Sequence, residues 1–193
     1  MDLDEQLLSN AEIQALARRI DRPVVLVGMM GVGKTTVGRK VATLLDLPFV
    51  DADEEIERAA QMSIPEIFGQ YGEPYFRSGE RRVIARLVGE GTRGDAKVLA
   101  TGGGAFVDPA TRALVLERAI SVWLDSDVET LLERVGRKDN RPLLKQGNPR
   151  EILTRLRNER RPFYEQAAIH VTSGNQPHPV TAHKILKAID AWL

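Results

Sequence analysis

A pattern typical of nucleotide-phosphate binding lies at residues 28–35, which match G-x-x-x-x-G-K-[ST] at every fixed position. In this pattern the backbone N–H groups surround the β-phosphate, the lysine bridges the β- and γ-phosphates, and the last hydroxyl ligates Mg²⁺. The rival G-x-G-x-x-G pattern of dinucleotide sites would need glycine at position 36, where the chain has threonine. The sequence therefore predicts a nucleoside-triphosphate site. Its predicted members are Gly31, Val32, Gly33, Lys34, Thr35 and Thr36, with Lys34 acting in catalysis.

Two carboxylates follow the next predicted strand and have the chemistry to act near such a site. Asp51 and Asp53 stand two residues apart, so in extended geometry they share a face. The strand over 97–101 ends in threonine and three glycines, without the metal-supporting aspartate that motors and GTPases usually place there. Asp51 is therefore the best-placed carboxylate to support Mg²⁺. Asp53 has two compatible interpretations, a helix cap and a carboxylate that faces the site.

Arginines and glycines supply a third group of candidates. Arg77, Arg141 and Arg160, each taken alone, are typical of solvated or ion-paired surface residues. The run Gly102-Gly103-Gly104 follows a predicted strand, and three successive glycines indicate that the backbone approaches a ligand closely.

These residues lie at the junctions of alternating strands and helices. Apolar runs predict strands at residues 23–27, 48–51, 97–101, 120–124 and 169–171. Helical patterns cover residues 3–20, 34–45, 54–60, 73–90, 109–118, 127–136, 149–161 and 179–192, and a capping box at 63–66 starts one more helix. This alternation predicts an α/β fold whose parallel sheet is covered by helices on both faces. The polar, basic segment 137–148 breaks the pattern and is predicted to be a mobile loop.

Composition excludes several classes of protein. The 193 residues suit one domain, and 27 basic residues balance 27 acidic ones, which argues against a nucleic-acid binder. There is no cysteine, so disulfides and thiol chemistry are excluded. Acidic residues interrupt the start of the chain, which argues against a signal peptide. No run approaches the roughly 20 apolar residues of a membrane span. We expect a cytoplasmic protein without a membrane or nucleic-acid partner.

The motifs occur in the order found in one known family, and from about Pro23 onward the chain resembles shikimate kinase. The matching segments are Gly28–Thr35, Asp51–Asp53, Phe76–Arg77, Leu99–Gly104, Arg141–Leu144 and Arg160 with Pro162–Tyr164. The resemblance implies a three-layer P-loop kinase fold with a five-stranded parallel sheet. Residues 1–22 are then an N-terminal helical extension of unknown role, and residues 23–193 are the shikimate kinase-like domain.

The resemblance also implies ATP-dependent phosphorylation of the 3-hydroxyl of shikimate, in aromatic amino-acid biosynthesis. Asp53 would then bind the ring hydroxyls and act in catalysis, and Arg77 and Arg160 would bind the carboxylate. The glycine run, Gly102, Gly103 and Gly104, would lie against shikimate. Thr35 and Asp51 would hold Mg²⁺, the implied cofactor.

Residues 137–148 resemble the closing lid of the family. Arg141 would move in to stabilise the transferring phosphoryl group, and it would contact ATP. By its offset from Arg141, Arg134 is the residue expected to lie against adenine, although Arg137 is close enough to leave that choice open. The expected partners are shikimate and ATP, and we expect a monomer.

Three other functions remain to be compared. Paired arginines suit any small carboxylate, so a related small-molecule kinase such as a gluconate kinase stays open on chemistry alone. A nucleoside-monophosphate kinase is disfavoured because no second base-reading loop is evident. Metal binding through histidines is disfavoured by their spacing, and His170, His178 and His183 are predicted to have no role in the site.

Overall fold

In the computed structural model, residues 7–89, 94–136 and 147–193 are described, and within them strands alternate with helices. The strands are β1 (Val24–Val27), β2 (Phe49–Asp51), β3 (Val98–Ala100), β4 (Ile120–Asp125) and β5 (Ile169–Thr172). The helices are α1 (Asn10–Arg19), α2 (Lys34–Leu45), α3 (Ala52–Ala60), α4 (Ile64–Val88), α5 (Pro109–Arg118), α6 (Val128–Val135), α7 (Pro149–Tyr164) and α8 (His178–Trp192). A 3₁₀ turn, Ala105–Val107, follows β3.

The described strands form one parallel sheet in the order β2-β3-β1-β4-β5. In the central strand β1, Val24 is opposite Val98 on one side and Ile120 on the other. All of Val24–Val27 is buried. Because successive side chains point to opposite faces, this burial means that both faces of the sheet are covered. The predicted α/β fold is confirmed.

Two groups of helices provide this cover. Helices α1, α2 and α8 contact one another, while α4, α5 and α7 all contact the 3₁₀ turn after β3. The loops that follow parallel strands meet at the carboxyl edge of the sheet, and every predicted strand-end motif lies there. Within the described ranges, no helix has the length and apolar character needed to cross a membrane.

The first helix starts later than its apolar spacing predicts. Ser9 accepts a hydrogen bond from the Glu12 N–H, and the Glu12 carboxylate accepts one from the Ser9 N–H, so this capping box begins α1 at Asn10. The sequence predicts a helix over residues 3–20, and this prediction is wrong for residues 7–9, which precede α1. Residues 1–6 lie outside the described part of the chain.

A break interrupts α4, where the sequence predicts two helical segments. Gly72 has φ 80° and ψ 172°, which ends the first segment before the second begins at Glu73. A positive φ of this size favours glycine. The second segment carries Arg77, so the break at Gly72 sets the direction in which that side chain leaves the helix.

The N-terminal extension packs into the same core as the rest of the chain. Ile13, Leu16 and Ile20 are buried in the main hydrophobic cluster. The N–H of Leu8 donates to Nδ1 of His183 on α8 at 3.0 Å, so this histidine has a structural role that its spacing did not predict. Burial lowers the pKa of His183, which favours the neutral ring that can accept this bond.

We predict that Leu16→Ala lowers the free energy of unfolding of the whole chain by about 2–5 kcal/mol, because it leaves a cavity at a side chain that is 1% exposed. Urea denaturation would measure the loss. Leu7→Ala is the matched control, because Leu7 is 40% exposed and its truncation should cost no more than about 0.5 kcal/mol. Equal and small losses in both variants would show that α1 does not belong to the cooperative core.

Candidate active site

The phosphate loop after β1 depends on glycine at two positions for different reasons. Gly28 has φ 137°, and a β-carbon there would lie 2.3 Å from the carbonyl oxygen of Leu124, so no side chain fits. Gly33 has φ 101° and immediately precedes α2, which begins at Lys34. The N-terminus of α2 therefore points its free N–H groups into the loop, as an anion site requires.

Lys34 is buried at the start of α2 and folds back over the loop. Its Nζ donates to the carbonyl oxygens of Gly28 at 2.7 Å and Met29 at 2.8 Å. These bonds hold the ammonium group beside the loop, where phosphate oxygens can replace the carbonyl oxygens as acceptors. Thr36 is exposed in the first turn of the same helix.

Asp51 contacts the starts of two helices. Its Oδ2 accepts a hydrogen bond from the Thr35 hydroxyl at 2.7 Å, and its Oδ1 accepts one from the Asp53 N–H at 3.0 Å. Asp51 is thus the cap of α3, and the prediction that Asp53 caps this helix is wrong. The Thr35 hydrogen is engaged by Asp51, so the lone pairs of its oxygen stay available. Hydroxyl and carboxylate oxygens are the hard donors that Mg²⁺ prefers, so these residues fit that ion.

Asp53 lies in the first turn of α3, in an environment that disfavours its charge. Burial raises the pKa of its carboxyl to about 6, and the nearby Asp51 and Glu80 carboxylates add to the rise, whereas Lys34 opposes it. A carboxyl with this pKa is largely ionised at pH 7 and can still accept a proton within the neutral range. The site therefore contains a base suited to neutral pH.

Each glycine of the 102–104 run lies against one predicted acceptor-binding residue. A β-carbon on Gly102 would lie 3.0 Å from Oδ1 of Asp53, and one on Gly103 would lie 3.4 Å from Nη1 of Arg160. A β-carbon on Gly104 would lie 2.6 Å from Nη1 of Arg77. The absence of side chains thus leaves room for three charged groups. The structure brings together residues that are far apart in the chain.

Arg77 is held by two carboxylates of its own helix. Its Nη1 donates to Glu80 at 2.7 Å, and its Nη2 donates to Glu73 at 3.1 Å. Glu80 is only 2% exposed, and burial raises its pKa although the Arg77 charge works against the rise. The sequence analysis missed Glu80. Its spacing of three residues from Arg77 on a helix was the available signal.

Arg134 joins the phosphate loop to the segment after β5. Its Nη1 donates to the Val32 carbonyl oxygen at 2.9 Å and its Nη2 to that of Gly174 at 2.6 Å. It also lies within 3.8 Å of the position of a β-carbon on Gly33. Arg134 therefore adjoins the loop, and its contact with adenine stays a prediction. Arg137, Arg141 and most of the predicted lid, residues 137–146, lie outside the described residues.

Comparison with known proteins gives consistent results. The family model for shikimate kinase matches residues 30–190. The shikimate kinase of Novosphingobium aromaticivorans is 76% identical over 193 residues, covering 100% of both chains. That of Caulobacter vibrioides is 56% identical over 168 residues, covering 87% of this chain and 82% of its own. The structure of shikimate kinase from Acinetobacter baumannii in complex with shikimate shares 39% identity at a TM-score of 0.84, covering 91% of this chain and 97% of that one. The predicted P-loop kinase fold is confirmed.

We predict that Asp53→Asn stabilises the ligand-free protein more at pH 8 than at pH 4.5. Its folded pKa of about 6 exceeds the ordinary aspartate value of 3.8, so stability falls as pH rises between these values. Ionisation of the Asp53 carboxyl lowers the free energy of unfolding by on the order of 3 kcal/mol above pH 6. At pH 4.5 it lowers that free energy by roughly 1 kcal/mol. The Asn variant should recover most of this difference in urea denaturation at the two pH values.

Glu54→Gln is the matched control for this prediction, because Glu54 is exposed on the same turn and pairs with Arg39. The Glu54→Gln substitution should change the free energy of unfolding only slightly at both pH values. A gain in the Asn variant that does not change with pH would contradict the raised pKa of Asp53.

Proposed function

Because the chain belongs to the shikimate kinase family, we infer that it transfers the γ-phosphoryl group of ATP to the 3-hydroxyl of shikimate, in chorismate and aromatic amino-acid biosynthesis. One observation in the structure supports this most strongly. A β-carbon on Gly103 would lie 3.1 Å from the Met30 N–H of the phosphate loop and 3.4 Å from Arg160. The phosphate loop and Arg160 therefore share one boundary, as transfer between two bound molecules requires.

On the donor side, we propose that the N–H groups of the loop Gly31–Thr36 surround the phosphates of ATP. Lys34 then exchanges its two carbonyl acceptors for phosphate oxygens and stabilises charge during transfer. Arg134 is the residue that we assign to adenine, since it already contacts the loop through Val32. Thr35 and Asp51 are the residues that would hold Mg²⁺, which supplies positive charge beside the phosphates.

On the acceptor side, Arg77 and Arg160 bind the shikimate carboxylate through their planar guanidinium groups. Glu80 fixes the direction of Arg77 by accepting a hydrogen bond from its Nη1. Asp53 accepts hydrogen bonds from ring hydroxyls. As the 3-hydroxyl oxygen bonds to the γ-phosphorus and the bond to ADP breaks, its proton passes to the Asp53 carboxylate. The pKa of about 6 suits this role at neutral pH.

Three further assignments complete the proposal. Arg141 stabilises the transferring group when residues 137–148 close over the site, which also keeps water from the phosphoryl group. The enzyme acts as a monomer, without nucleic-acid or membrane partners. It works in the cytoplasm, a compartment consistent with a chain that contains no cysteine.

A gluconate kinase would also need a carboxylate site, so the arginines alone do not choose between the two acceptors. The test is ADP release from Mg·ATP with shikimate, gluconate or nucleoside monophosphates supplied in parallel. We expect release only with shikimate. A response to another acceptor and none to shikimate would refute the proposed substrate while leaving the phosphate site intact.

Substitutions should separate the two halves of the site. We predict that Arg77→Ala raises the KM for shikimate roughly 10–100-fold, because it removes a charge-assisted pair of bonds, while the KM for ATP changes by less than about twofold.

Lys34→Ala should reduce kcat by at least about 100-fold, because it removes the positive charge beside the phosphates. Steady-state kinetics in both substrates would measure these changes.

Arg82→Ala is the control for the arginine variant, because Arg82 is exposed on the same helix and its Nε donates to the Ser78 carbonyl oxygen. It should leave both KM values unchanged. An equal rise of the two KM values in Arg77→Ala would contradict the separation into donor and acceptor residues.

A further inference from the structure

The hydroxyl of Tyr164 lies where the two halves of the site meet. Tyr164 is the last residue of α7 and is 1% exposed. Its hydroxyl donates a hydrogen bond to the carbonyl oxygen of Gly103 and lies 4.0 Å from the sulfur of Met29 in the phosphate loop. Buried phenols usually find a polar partner, and here that partner is the backbone of the glycine run.

Arg160 lies against the same glycine, because a β-carbon on Gly103 would lie 3.4 Å from its Nη1. Its charge also acts on the phenol, where it opposes the rise in the Tyr164 pKa that burial causes. Arg160 precedes Tyr164 by four residues on α7, so the two side chains lie on one face of the helix. Burial raises the pKa of the phenol, so it keeps the proton that it donates to Gly103. The hydroxyl group of Tyr164 therefore holds the glycine run at the place where Arg160 lies against it.

The ring of Tyr164 is held independently of this hydroxyl. It lies against Trp123, with 6.1 Å between the ring centroids. Helix α7 has further attachments to the sheet, because Leu153 is buried in the core and Arg157 pairs with Asp125 at 2.9 Å. Removal of the hydroxyl alone should thus leave the helix in place.

We propose that Tyr164 is a positioning residue for the reaction, which holds Arg160 against the glycine run in the geometry that receives the acceptor carboxylate. It acts through Arg160 and does not itself touch the reacting atoms. This proposal rests on the proposed function, because it assumes that Arg160 binds the carboxylate of shikimate.

The test is Tyr164→Phe, which removes only the oxygen. We expect the KM for shikimate to rise about tenfold, as the loss of one buried hydrogen bond at the site predicts, with the KM for ATP within about twofold of the wild type. Tyr71→Phe is the matched control, because Tyr71 is 48% exposed and stacks only on Tyr75. It should change neither value.

A double variant that carries both Tyr164→Phe and Arg160→Ala tests the route of the effect. If Tyr164 acts through Arg160, the double variant should bind shikimate no more weakly than Arg160→Ala alone. Multiplied losses in the double variant, an unchanged KM for shikimate, or equal rises in both KM values would each overturn the proposal. So would a Tyr164→Phe protein that no longer binds ATP, because the hydroxyl would then serve folding.

The wild-type protein in the same assay separates this inference from the proposed function. No turnover of shikimate by the wild type would refute the function itself. Normal wild-type turnover with an unaffected Tyr164→Phe variant would refute only the role of Tyr164.

Discussion

The carboxylate of Asp51 is the connection on which the geometry of the site depends. One of its oxygens binds the Thr35 hydroxyl at the start of α2, and the other caps α3. The position of Asp51 is set in turn by the sheet, where it lies opposite Ala100 in β3. The phosphate loop, the carboxyl of Asp53 and the glycine run after β3 are therefore fixed relative to one another by one side chain and by the ladder of a parallel sheet.

The acceptor side gathers more charge than a stable interior usually holds. Asp53 and Glu80 both approach Gly102, and burial raises the pKa of both carboxyl groups. The positive charge of Arg77 stabilises the ionised form of Glu80. The surroundings of Asp53, in contrast, disfavour its ionised form in the ligand-free protein. Hydrogen bonds from a polyhydroxy acid would relieve this cost. The site is thus arranged for a bound molecule at the expense of the empty protein, as functional sites often are.

The sequence predicted those features that depend on local spacing. The phosphate loop has fixed positions, the strands are continuous apolar runs, and a Ser-x-x-Glu pattern marked the start of α4. It did not predict Glu80, because a charged residue on a helix is usually exposed, and only the fold shows that this one is buried. Likewise, three glycines indicated a close approach, but their partners Asp53, Arg160 and Arg77 come from three helices that only tertiary structure brings together.

The packing of the extension against the last helix has a consequence for synthesis on the ribosome. Leu8 and His183 are 175 residues apart, yet they share a hydrogen bond. The central strand β1 likewise needs both later strands β3 and β4 beside it. Contacts of such long range delay the completion of a fold. The nascent chain therefore cannot complete the packing of α1 until α8 has left the exit tunnel, so a helix made before the sheet reaches its full set of native contacts only after the sheet is made.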